Sequence, residues 1–292
     1  MISSVVWPLE MAQSIQLAPT AFGVAAVLTW GTSDFLGGYA SKRANAFFLT
    51  AVSHAGALVL AIALALGTNA IIPPKASVLW ALAAGACGGA ALSLFYGALA
   101  SGQMGLTAPV AALVGAAIPA AVGIATDGWP SKLALTGFAL AAIGIWLIAK
   151  PEDGKLHTEG LAKAILAGVG FALFYILIKR AGDASAFWSA VSSRFAALVM
   201  VSAIVLFGRH VQKMDASRVA MGIAAGMLDV SGTMLFIRAT QTGRLDAAVV
   251  LTSLYPAITV LLARFFLAER LTGWKLLGML AALAAVPLIA MR

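Results

Sequence analysis

Four ionisable residues stand in otherwise apolar stretches of this sequence: Asp34 in WGTSDFLGG, His54 in SHAGALVL, Arg194 in SRFAALVM and Asp229 in GMLDVSGTMLF. Holding a charge at the centre of a bilayer costs about 2.5–3.5 kcal/mol on insertion scales, so such groups pair with one another or face a cavity. A carboxylate there can carry a proton or hold a cation. Arg194 cannot deprotonate, so it is either a fixed counter-ion for Asp229 or Asp34 or a site for a substrate carboxylate. His54 has the imidazole chemistry of a proton relay; a lone histidine in an apolar span also serves as a hydrogen-bonded packing residue. Asp229 is the acid nearest the middle of its stretch and the first choice for a coupling residue, with Asp34 second. The competing reading of all four is a buried ion pair that locks helices together.

Aromatic residues share these stretches. Trp30, Tyr96, Tyr175, Trp188 and Tyr255 are candidates to line a substrate or proton pathway, where their rings can stack on a planar or cationic ligand. Trp80, Trp129 and Trp274 stand at the ends of apolar runs and read as interfacial anchors. Pro119 and the pair Tyr255-Pro256 fall inside apolar runs. A proline leaves a carbonyl without its helical partner, so Pro119 and Pro256 are candidate hinges that interrupt their helices. Cys87 is the single cysteine; it permits no intramolecular disulfide and reads as a small core residue. No nucleophile elbow, zinc signature, phosphate loop or dinucleotide-binding glycine pattern is present. An enzyme is therefore not expected, nor a cofactor or a metal site.

The elements that must position these residues follow from composition. Of the 292 residues, 62% are hydrophobic and 10% charged, with mean hydropathy +0.98; a soluble domain carries about 25% charge. This excludes a water-soluble enzyme, and also a nucleic-acid-binding chain despite the net charge of +8. The partners expected are the lipid bilayer and a small-molecule substrate. A spanning helix needs about 20 apolar residues. Gaps between charges then give ten spans, at about 18–40, 46–66, 77–100, 106–126, 132–149, 160–179, 186–207, 217–240, 246–266 and 272–291. The fold class expected is all-α and polytopic, with short loops and no role assigned to residues 1–17.

The sequence also repeats. LTAPVAALVGAAIPAAVGIA from Leu106 pairs with LDAAVVLTSLYPAITVLLA from Leu245, and SHAGALVLAIALAL around His54 pairs with SRFAALVMVSAIVL around Arg194. Pro119 matches Pro256, and Gly137 matches Gly278. The period is half the chain, giving a first repeat at 18–149, a connecting loop at 150–159 and a second repeat at 160–292. An odd number of spans in each half requires the halves to insert in opposite orientations, the inverted repeat of many secondary transporters, whose substrates bind near the midplane between halves. Lys42 and Lys179 are then expected on opposite sides of the membrane.

The pattern WGTSDFLGGYASKR at 30–43, the tail YPAITVLLARFFLAERLTGWKLLGMLAALAAV at 255–286 and the two five-span halves resemble the EamA family of the drug/metabolite transporter superfamily, over residues 20–291. Glu269, nine residues before Gly278, is the most specific mark. The resemblance implies a bacterial inner-membrane protein with both termini cytoplasmic. A count of Lys and Arg leans the other way, with seven on the expected inner side and eleven on the outer; the bias is small, and the family orientation is preferred. The function expected is a secondary transporter moving a small organic metabolite, an amino acid or related amphiphile, by alternating access, with proton coupling through Asp229 or Asp34. The alternative is an intramembrane enzyme acting on lipid headgroups, which would need a polar cluster at an interface. A chain holding both halves has no need to dimerise, and a monomer is expected.

Overall fold

The computed structural model describes residues 3–101, 104–150, 160–182, 185–267 and 272–290, with side chains outside 3–16, 101 and 104–106. Every regular element among them is helical: α1 (Ser3–Ser41), α2 (Ala46–Gly67), α3 (Lys75–Ser101), α4 (Met104–Asp127), α5 (Lys132–Ala149), α6 (Leu161–Arg180), α7 (Ala186–Phe207), α8 (Ala216–Thr242), α9 (Leu245–Thr252), α10 (Tyr255–Leu267) and α11 (Gly273–Ala290). Glu269 lies outside the described residues. With α9 and α10 taken together as Leu245–Leu267, nine of these segments are long and apolar enough to cross a membrane. The tenth, α1, is less apolar because Thr29, Trp30, Thr32, Ser33 and Asp34 stand in its last third. The expected ten spans are therefore present, and the all-helical polytopic class holds. One boundary differs: α1 begins at Ser3, so the segment before residue 18 continues the first helix rather than standing apart from it.

Short polar stops set the helix starts. Asn45 Oδ1 accepts from the amides of Phe47 and Phe48 at 3.0 and 3.2 Å, Ser131 Oγ from that of Ala134 at 3.1 Å, and Asp215 Oδ1 from that of Arg218 at 2.9 Å. These caps satisfy amide groups that the first helical turn leaves without partners. Gly182, between α6 and α7, takes φ +73, a left-handed turn that costs a glycine little.

Small residues bring the helices together. A side chain at Gly85 of α3 would fall on the backbone of Ser193 in α7, and one at Gly226 of α8 would fall on the backbone of Ser53 in α2. Gly85 and Gly226 occupy matching places in the two repeats, as do Ser53 and Ser193. Close backbone approach of this kind is what holds helices together in lipid, where burial of apolar surface gives no driving force. The same correspondence runs through the bundle. α1 packs on α8 as α6 packs on α3, and α2 packs on α8 as α7 packs on α3. α4 packs on α6, while α9 and α10 pack on α1. The α2–α7 and α5–α11 contacts join equivalent helices directly.

α1 and α8 run antiparallel: Pro19 meets Gly243, Trp30 meets Asp229 and Ser33 meets Ala225. Lys179 Nζ donates to the Thr240 carbonyl at 2.5 Å, beside the end of α8 that meets Pro19. Asn45, three residues past Lys42, lies with its amide 2.6 Å from Gln212 Oε1, in the loop that begins α8. Lys42 and Lys179 are thus at opposite ends of the bundle.

The two candidate hinges part company. The ninth span is broken at Ser253 and Leu254, just before Tyr255-Pro256, and the amides of Leu254 and Ala257 turn to carbonyls three residues back, at 3.2 and 3.0 Å. Pro119 does not interrupt its helix. α4 continues through both Pro109 and Pro119, because a proline removes a single amide donor, a loss that neighbouring helices in a packed membrane bundle compensate.

Candidate functional site

The face of α1 that points inward carries Trp30, Ser33, Asp34 and Gly37, spaced as i, i+3, i+4 and i+7, which places them on one side of a helix. Ser33 Oγ donates to the Ala225 carbonyl at 2.7 Å, and the Trp30 indole N–H donates to the Asp229 carbonyl at 3.0 Å. Both bonds seat α1 against α8. Thr259 Oγ1 donates to the Gly31 carbonyl at 3.1 Å, which fixes α10 and brings Tyr255 beside the same stretch of α1.

Arg194 of α7 is 5% exposed. Its Nη1 stands 2.9 Å from Asp229 Oδ2 in an ion pair, and its Nη2 donates to Thr233 Oγ1. Thr233 in turn donates to the Asp229 carbonyl at 3.0 Å. Of the two partners anticipated for Arg194, the structure brings Asp229 to it. Arg194 Nε has no hydrogen-bond partner. The Asp34 carboxylate, 7% exposed, makes neither an ion pair nor a hydrogen bond among the described residues.

These groups surround a cavity of about 40 Å³ whose walls come from both halves. Asp34 and Trp30 enter it from α1, Tyr175 and Phe174 from α6, Arg194 from α7, Asp229 and Thr233 from α8, and Tyr255 from α10. The rings are mutually packed. Trp30 lies 5.9 Å from Tyr175 and 5.6 Å from Phe236, and Tyr175 lies 4.9 Å from Phe236, each centroid to centroid. Such offset rings hold one another in place. The Tyr255 hydroxyl is buried without a partner.

Six of the nine pathway residues read from the sequence thus meet at one cavity: Trp30, Asp34, Tyr175, Arg194, Asp229 and Tyr255. Three do not line it. Tyr96 is fully buried behind α1, its ring filling the space that Gly37 leaves free. His54 is fully buried on α2 within electrostatic reach of Arg194, with no hydrogen bond at either ring nitrogen, so the packing role with a bonded partner is not what it has. Trp188 sits at the start of α7 with its indole N–H on the Ala70 carbonyl at 2.8 Å, so it ties α7 to the loop between α2 and α3 and does not line the cavity. Its place one turn into α7 shows in the sequence, since Ser185 marks the cap. Thr233 and Phe236 were missed, although Asp229, Thr233 and Phe236 form an i, i+4, i+7 stripe. Of the expected anchors, Trp274 has Lys150 Nζ 3.9 Å above its ring, and Trp80 has the Arg180 guanidinium 6.0 Å from its ring.

A larger cavity, about 510 Å³, opens at the end of the bundle where α1 enters. Its charged fixture is Arg244, which donates from Nε and Nη2 to the fully buried Asp246 carboxylate at 3.0 and 2.8 Å, and from Nη1 to the Asp127 carbonyl at 2.9 Å. Nη2 also donates to the Gly128 carbonyl. This guanidinium straps the α8–α9 turn to the α4–α5 loop. The hydrogen bond to Asp246 holds the Arg244 guanidinium above its ordinary value, so the strap stays charged at any pH the protein meets. Arg244→Ala leaves the buried Asp246 carboxylate without its guanidinium partner, with the Ala247 amide still donating to Oδ1 at 2.8 Å, and should lower stability by about 1–3 kcal/mol. Thermal unfolding of the purified protein checks this, and a midpoint equal to that of the wild type would contradict the strap. Arg244→Lys should recover little, since one ammonium cannot span a carboxylate and two carbonyls.

No curated protein matches the chain. A solved structure described only as the crystal structure of a protein superposes with TM-score 0.77 at 15% identity, covering 92% of this chain and 97% of that chain, and at that identity the likeness shows the fold alone. Residues 158–291, the stretch that holds the tail motif read from the sequence, match the EamA-like transporter family.

Proposed function

We propose that the protein is a secondary transporter that carries a small organic metabolite, an amino acid or related amphiphile, across the bacterial inner membrane by alternating access. The observation that carries this reading is the central cavity: a buried ion pair, an unpaired carboxylate and a set of aromatic faces, built jointly by the two halves of a ten-span bundle. A purely structural bundle gains nothing from an unpaired acid in its interior, whereas a carrier needs a polar site that is closed to both sides at once. The two halves are inverted repeats in this reading. The matched helix contacts and the opposite placement of Lys42 and Lys179 support it. The ninth span is broken just before Tyr255, which lines the cavity; in this reading the break is the hinge at which one half rocks against the other. Proton coupling runs through Asp34 or Asp229, and one chain suffices for the pathway. An enzyme acting on lipid headgroups would need its acids near a membrane face; here they lie deep in the bundle.

Substrate-dependent flux in proteoliposomes tests the reading, and absence of flux for every candidate metabolite would end it. Topology supplies a second check. In a Cys87→Ala background, Lys42→Cys and Arg180→Cys, both at exposed positions, should label from opposite sides with a membrane-impermeant thiol reagent. Labelling of both from one side would refute the inverted arrangement.

A further inference from the structure

The charged side chains around the central cavity do not balance. Asp229 and Arg194 neutralise one another at 2.9 Å, and Asp34 is left over. We propose that this cavity is a binding site for an organic ammonium ion, whose charged head pairs with Asp34 and rests against the faces of Trp30, Tyr175 and Tyr255.

The wall chemistry selects this ligand. An anion would find spare N–H groups on Arg194 and the Tyr255 hydroxyl, but the guanidinium charge is already matched by Asp229, and the Asp34 carboxylate on the same cavity would repel it. An inorganic divalent cation needs several oxygen ligands, and no group of three or more metal-ligating acids, histidines or cysteines occurs among the described residues. A weakly hydrated ammonium needs less: one carboxylate and aromatic faces, which attract cations through the ring quadrupole and do so more strongly out of water. Trp30 is held for this by its indole bond to the Asp229 carbonyl, which leaves its ring free to pack on Tyr175. The unpartnered Tyr255 hydroxyl supplies an oxygen that can accept from an ammonium N–H. A volume of about 40 Å³ holds an ammonium head or a few waters, so the apolar remainder of the ligand must lie along the aromatic wall as the bundle opens. That the bound ion is cargo rests on the transport reading; that it binds does not.

The test uses the purified full-length chain and calorimetric titration with phenethylamine and tetramethylammonium, against the neutral 2-phenylethanol and the anionic 3-phenylpropionate. Both ammonium ions should bind and raise the unfolding temperature, while the alcohol and the carboxylate do neither. Asp34→Asn should weaken phenethylamine binding roughly thirtyfold or more, the cost of removing one partner of a desolvated charge pair, and Asp34→Glu should restore most of it. Unchanged affinity in Asp34→Asn, equal binding of the alcohol or the carboxylate, or no binding of either ammonium ion would overturn the proposal. Should Asp34→Asn fail to fold, Tyr175→Leu removes a ring face without touching a charge: ammonium affinity should fall, and an unaltered affinity would again overturn it. The two readings fail separately. Flux of a metabolite through a protein indifferent to ammonium ions would sink this inference alone, whereas ammonium binding without flux would sink only the transport reading.

Discussion

Arg194→Leu should abolish transport in proteoliposomes. The substitution leaves the Asp229 carboxylate, 13% exposed at its side chain, without the guanidinium 2.9 Å away, and breaking a buried pair by removing one partner costs about 3–5 kcal/mol. It also leaves two uncompensated acids around one cavity. A cation that enters such a site is held rather than released, so flux stops even in the protein that folds. Two controls separate the role in transport from the role in folding. Arg194→Gln combined with Asp229→Asn removes both charges and should recover most of the lost stability, because the penalty belongs to the orphaned partner and not to the missing pair. Arg194→Lys keeps the charge but loses the fork that reaches Asp229 and Thr233 together, and should fold with impaired flux. Full transport of every native substrate by Arg194→Leu would remove Arg194 from the mechanism.

The spans were legible because a bilayer imposes a length and a polarity that composition alone reveals: the stretches between Arg43 and Lys75, and between Lys132 and Lys150, each hold an apolar helix in the structure. α1 was legible for the opposite reason. Two of the residues that lower its hydropathy, Trp30 and Asp34, line the cavity. The convergence of Asp34, Arg194 and Asp229 could be anticipated only as a class, since apolar spans are rich in alternative pairings and the partner of Arg194 is set by how α7 meets α8. That meeting depends on backbone contacts at Gly85 and Gly226 which no side-chain pattern announces. Trp188 misled because an aromatic one turn into a span is equally near to a loop. Pro119 misled because a single absent donor does not break a helix that neighbours support. His54 matches Arg194 in the repeat, yet the two differ in what surrounds them: Arg194 reaches the cavity, while His54 is sealed on α2.

Asp229→Asn should eliminate ammonium binding even though Asp34 is untouched. In the wild type, Arg194 is committed to Asp229 and Asp34 is the surplus charge. With Asn at position 229 the guanidinium keeps its charge and loses its counter-ion, and the remaining carboxylate on the same cavity is Asp34. The long arginine stem needs only to cross a space of about 40 Å³ to pair with it, and a buried guanidinium without a partner is far costlier than that rearrangement. The site then carries no net charge and has its cation built in. The decisive comparison is again Asp229→Asn with Arg194→Gln: deleting the guanidinium returns the surplus to Asp34, so ammonium binding should reappear in the double variant at near wild-type affinity. A structural role for Asp229 predicts otherwise, because Asn preserves its hydrogen bonds and binding survives in the single variant. A proton-carrying role predicts a third pattern, in which Asp229→Asn binds ammonium normally but its uptake no longer responds to an imposed pH gradient. Titration of phenethylamine into the single and double variants, with flux measured with and without the gradient, tells the three apart, and undiminished binding by Asp229→Asn would show that Arg194 does not change partners.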